Sequence, residues 1–98
     1  MKKLILIMAL SISFTAKADD QSEKLKLCKT LSNLAGTIMT SRQDGVDMVD
    51  MYEVASNSMA QTMVTMAFDR PKFSSEKYRQ GEVSRFKNLW FKECIKRK

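Results

Sequence analysis

The run LCKTLSNLAGTIMTSRQDG, Leu27 to Gly45, decides the fold. Cys28, Leu31, Ala35 and Ile38 recur at the spacing of one helix face, and Leu27, Leu34 and Met39 widen the stripe. No proline and few β-branched residues interrupt it. The pattern predicts a helix of about six turns, opened by Asp20 and Glu23 as a capping box. Gly36 inside it permits close approach of a neighbouring helix, and Gly45 supplies the left-handed residue that helix ends favour.

The rest of the chain repeats the pattern in shorter pieces. Asp47 is placed to cap a second helix, with Asp50 in its first turn, Val46 and Met51 as a hydrophobic staple, and Met48, Met51, Tyr52 and Ala55 on one stripe. Ser56, Asn57 and Ser58 interrupt it. Ser58 with Gln61 forms a second capping box, for a third helix from about Met59 that carries Met59, Met63, Met66 and Ala67 on one face. Pro71 stops that helix, because the residue before a proline is pushed out of the helical region. Ser74 or Ser75 then caps a last helix with Glu76 in its first turn. Its inner stripe is Val83, Phe86, Trp90 and Cys94, broadened by Leu89 and Phe91, and Lys96, Arg97 and Lys98 suit the dipole at its end. No strand-like alternation occurs. The expected fold is all-α, a small bundle of about four helices with long first and last members.

Upstream, MKKLILIMALSISFTAKADD has the layout of a secretory signal peptide: Lys2 and Lys3, an apolar run from Leu4 to Phe14, and Ala16 and Ala18 before Asp19. That apolar run spans about 16 Å as helix, half of what a membrane span needs. Leu25, Lys26 and Leu27 before Cys28 argue against a lipoprotein. The expected organisation is therefore a signal peptide over residues 1–18 and one domain over residues 19–98, with no stable membrane insertion after cleavage. Cleavage removes Lys2, Lys3 and Lys17, so the formal charge of +6 falls by three to +3. The last helix stays basic, with eight Lys or Arg from Lys77 to Lys98 against Glu82 and Glu93.

A domain of this size draws little margin from its core alone, and covalent staples are common among such domains. Cys28 and Cys94 allow one intramolecular pairing, which the oxidising compartment beyond the export route favours. Closing a loop of about 67 residues is worth on the order of 4 kcal/mol in the chain-entropy model. A free thiol or an intermolecular bridge is the competing reading. If paired, the cysteines bring the start of the first helix to the end of the last, so the two run antiparallel.

Chemistry is sparse. There is no histidine for a hydrolytic base or a zinc site, no phosphate-binding glycine loop, and only Asp44, Asp47 and Asp50 as an acidic cluster, at a helix end and a helix start. The chain reads as a non-enzyme without cofactor or metal. Six methionines follow residue 18, and Met59, Met63 and Met66 are spaced to offer thioethers to Cu(I), although filling irregular core space is the commoner use. Lys77, Arg79, Arg85, Lys87 and Lys92 suit a solvated face or an anionic envelope component, and export argues against nucleic acid.

Taken together, the M-x-x-R-Q-x-G turn (Met39 to Gly45), the segment AFDRPKF (Ala67 to Phe73) and the terminal W-x-x-x-C (Trp90 to Cys94) resemble a group of short exported Cys-pair helical proteins of Proteobacteria and their phages or prophages. The resemblance covers the chain after residue 18 and implies a fold and an export route rather than an activity. A weaker likeness, of architecture only, is to HdeA- and HdeB-type periplasmic acid-stress chaperones. The expectation is a small periplasmic or secreted binding protein in an envelope- or phage-linked setting, its partner a protein or an anionic envelope component. A stress holdase and a Cu(I) carrier are the alternatives. Arg42 and Gln43 at the first turn, with Arg70, Lys72 and Phe73 around the proline loop, are the candidate interaction residues. Arg42 lies one turn beyond Ile38 on the same stripe, so an inward polar clamp is open beside a docking role.

Overall fold

The computed structural model describes the backbone of residues 2–97 and the side chains of residues 21–97. The expected signal peptide over residues 1–18 lies outside the described side chains. Four helices follow in order: α1 (Lys2–Gln43), α2 (Met48–Val54), α3 (Ser58–Phe68) and α4 (Glu76–Lys96), with no strand among the described residues. α1 and α4 form the principal pair and run antiparallel, because Asp44 meets Arg79 at one end and Cys28 is bonded to Cys94 at the other. The two cysteine Cα atoms are 5.5 Å apart. α3 lies beside α1 in the same direction, with Met59 sharing a groove with Leu27 and Leu31, and Phe68 lying under the Arg42 guanidinium.

The core forms where the stripes converge: Ala35, Ile38 and Met39 of α1, Met51 of α2, Met63, Val64 and Ala67 of α3, and Phe86 of α4. Cys28 is fully buried at the stapled end. Gly36 acts as expected. A Cβ there would stand 2.7 Å from the Lys87 side chain, whose stem packs across the glycine, and Ser32 Oγ donates to the Lys87 carbonyl at 3.2 Å beside it.

The α1 stop follows from Gly45, whose φ of 93° lets the chain turn back. Val46 N–H then reaches Ser41 O at 3.1 Å and Gly45 N–H reaches Arg42 O at 3.2 Å, the paired bonds of a Schellman ending.

Three local expectations differ from the structure. α1 begins before Asp20, so the Asp20–Glu23 pair sits within a helix, since a capping sequence opens one only where the backbone breaks. α3 is capped by Asn57 rather than by Ser58. The Asn57 backbone is extended and its side-chain oxygen accepts from Ala60 N–H at 2.8 Å, which makes Ser58 the first helical residue. The buried face of α3 is Ala60, Met63, Val64 and Ala67, leaving Met59 39% exposed. The stripe is turned by one residue from the expected methionine face, with Ala60 buried beside Leu34 and Ile38 of α1 and Met59 at the edge beside Leu27 and Leu31.

Candidate functional site

The two sets of residues singled out in the sequence, Arg42 with Gln43 and Arg70 with Lys72 and Phe73, meet in space. Gln43 ends α1 with its side chain 2% exposed. Its Nε2 donates to Pro71 O at 2.9 Å and its Oε1 accepts from Phe73 N–H at 2.8 Å. One side-chain amide thus satisfies a donor and an acceptor of a loop that has no ladder partner of its own. Arg42 reinforces it: Nη2 donates to Arg70 O at 3.1 Å, and the guanidinium lies 4.6 Å from the centre of the Phe68 ring. Phe73 is half-buried against Tyr78, with ring centroids 5.8 Å apart, while Lys72 is exposed beside Gly45. The geometry is that of the inward polar clamp.

A second polar tie is one that sequence reasoning missed. Glu82 on α4 is 1% exposed and accepts from Arg70 Nε, and from Arg85 Nη2 at 3.1 Å. Arg70 therefore joins the proline loop to α4 while Arg42 and Gln43 join it to α1. The Arg70 hydrogen bond holds the Glu82 carboxyl below the ordinary carboxylate range against the opposing effect of burial, and Arg85 adds to the lowering. The folded chain binds that proton more weakly than the unfolded chain. The tie's contribution is complete above an unfolded pKa of about 4.3 and is lost as pH falls through the lower folded value. Urea unfolding of the chain and of Glu82→Gln is expected to differ by about 1–2 kcal/mol near neutral pH, and to converge as pH falls below the ordinary carboxylate range. A gap that does not change with pH would show that the carboxylate charge contributes nothing.

These ties also occupy much of the basic face. Arg79 pairs with Asp44 and Glu76, Arg85 with Glu82 while staying exposed, and the Lys87 stem covers Gly36, leaving Lys77 and Lys92 as the exposed cations of the five without such a tie among the described residues.

Two apolar surfaces remain. At the stapled end, Leu27, Leu31, Met59 and Trp90 line a groove of about 530 Å³, rimmed by Glu23, Lys24, Glu93 and Arg97. The larger display is on α2. Of its residues only Met51 is buried, and Met48, Val49, Tyr52 and Val54 are exposed, as is Val46 just before it, Val49 by 67% and Val54 by 82%. The expected stripe of Met48, Met51, Tyr52 and Ala55 does not all turn inward, since a two-turn helix at the bundle's edge has one neighbour to face. Beside Val54, a shallow groove runs between α1, α2 and α3 over Leu34, Ile38 and Ala60. From Gln43 to Asp69 the chain has five carboxylates and no Lys or Arg, a signal present in the sequence.

The methionine triad is not gathered at one open face, because Met63 is 0% exposed while Met59 is outward. Among the described residues no group of three or more His, Cys, Asp or Glu is placed to hold a metal ion, and no helix is long and apolar enough to cross a membrane. No family model, curated protein or solved structure matches the chain.

Proposed function

We propose that the chain is a small exported, non-catalytic interaction protein of the periplasm or exterior, whose work is to bind another protein. The observation that carries this reading is α2, a helix that turns five of the nine side chains from Val46 to Val54 outward as large apolar groups. Scattered surface apolar residues are ordinary, but five of them concentrated on one short segment of a stapled scaffold mark a contact surface. An anionic envelope component is the weaker choice of partner, because Arg70, Arg79 and Arg85 are tied to carboxylates. A holdase would uncover its apolar face on unfolding, whereas α2 presents its face in the folded chain.

The test is site-specific photo-crosslinking in cells that export the protein, with the reactive group at Val54 or at exposed Asn33, on α1 outside the α2 surface. A discrete adduct from Val54 and none from Asn33 is the expected result. Equal, diffuse labelling from both positions, or none from either, would overturn the reading.

A further inference from the structure

We infer that the α2 face is a docking site for a cationic amphipathic segment of a partner protein. The inference rests on the interaction-protein reading and adds the chemistry of the partner. Met51 points into the core, so Val49 and Glu53, about half a turn away, head the exposed side, with Asp50 and Tyr52 flanking them. Val54, beyond Asp50 and Glu53 around the helix, adds an apolar group beside the groove against α1 and α3.

The carboxylates around this surface are free to act on a partner. Asp47 stands at the N-cap position yet makes no capping hydrogen bond, and Asp47, Asp50 and Glu53 are exposed and in no ion pair among the described residues. Only Asp44 of this run is held, by Arg79. No Lys or Arg lies between Gln43 and Asp69 to neutralise them. A helix face that interleaves exposed Val49, Tyr52 and Val54 with the carboxylates of Asp50 and Glu53, and carries no cation of its own, matches a segment that presents both apolar and Lys or Arg side chains, by burial and by charge. Since the chain is net positive, at +6 in full and +3 without residues 1–18, attraction of a cation is a property of this face and not of the overall field. Seven residues are too few to hold a helix by propensity, so α2 persists through Met51 and its neighbours. Its outward side chains are thus open to substitution without dismantling the core.

Two synthetic peptides of about 18 residues test this, with leucines at identical helical spacing and either lysines or glutamates at all other positions. Each is titrated into the isotope-labelled, oxidised chain while amide shifts are followed. The lysine peptide is expected to shift residues 46–54 and to bind about tenfold more weakly in high salt, where charges more than about 3 Å apart are screened. It is also expected to lose about tenfold in affinity to Asp47→Asn/Asp50→Asn/Glu53→Gln and, separately, to Val49→Ser/Val54→Ser, both of which keep the melting temperature. Equal binding of the glutamate peptide, shifts confined to the stapled-end groove, or shifts in residues 46–54 that depend on protein concentration without peptide would overturn the inference, the last by placing a second copy there. If any of these occurs while Val54 still crosslinks a discrete partner in cells, the interaction reading stands and only the partner's chemistry is wrong. Loss of both results removes both.

Discussion

Replacing both cysteines, Cys28→Ser with Cys94→Ser, is expected to cost about 4 kcal/mol and to lower the melting temperature by about 20 °C. The bridge joins residues separated by 66 positions, so it removes much of the freedom of the unfolded chain. It also closes the far end of the principal α1–α4 pair, where the fully buried Cys28 meets Cys94. Without the bridge the chain keeps only what its core supplies, about 3–5 kcal/mol at most in a domain this small, so about half of the margin is lost and the double variant should stay folded at 25 °C but melt far below the parent. Thermal and urea unfolding followed by circular dichroism, with and without reductant, gives the comparison. A reduced chain that melts within about 3 °C of the oxidised one would show that helix packing alone carries the fold.

The all-α class, the long outer helices and the cysteine pairing were legible because each rests on a local rule. Stripe periodicity marks a helix, Gly45 marks its end, and two cysteines on inner faces have one intramolecular solution. What stayed hidden depends on contacts between distant residues. Glu82 reads as one more surface charge on a basic helix, and nothing nearby in sequence indicates that Arg70, twelve positions earlier, comes to meet it. Arg42 with Gln43 and Arg70 with Phe73 stood out as two sets of leftover polar and aromatic residues. Their union into one clamp is a fact of how α3 brings the proline loop back to the end of α1.

Smaller misreadings arose where two local signals competed. Asn57 and Ser58 are both good caps, and the extended backbone at Asn57 decides between them. The cap sets only where the third helix starts; the face it buries is set by packing, which takes Ala60, Met63, Val64 and Ala67 inward and leaves Met59 outward. The exposed side of α2 had a signal in the missing lysines and arginines from Gln43 to Asp69, but its meaning depends on which residues the bundle leaves uncovered. Periodicity identifies an apolar face; it does not say whether a neighbour exists to cover it.

The clamp itself yields the second large effect. Gln43→Ala is expected to cost about 2–3 kcal/mol, because it strands the Phe73 N–H and the Pro71 carbonyl beside a buried gap, each able to recover only part of its lost bond from water. Arg42→Ala should cost less, about 1 kcal/mol, since the Arg42 to Arg70 bond is exposed and the Arg70 carbonyl can turn to solvent. Gln43→Glu separates the role of shape from that of the donor. A carboxylate still accepts from Phe73 N–H but presents lone pairs to Pro71 O, so the variant should be at least as unstable as Gln43→Ala at neutral pH. Protonation restores a donor at that position. Relative to the parent chain measured at the same pH, the Glu variant should regain stability as pH falls below about 5, the reverse of the trend for the Glu82 tie. Urea unfolding at matched pH reads both. If Gln43→Ala and Gln43→Glu each unfold within about 0.5 kcal/mol of the parent, the amide is not what holds the proline loop to α1, and the loop's attachment would have to be assigned to Arg42 and the Phe68 ring alone.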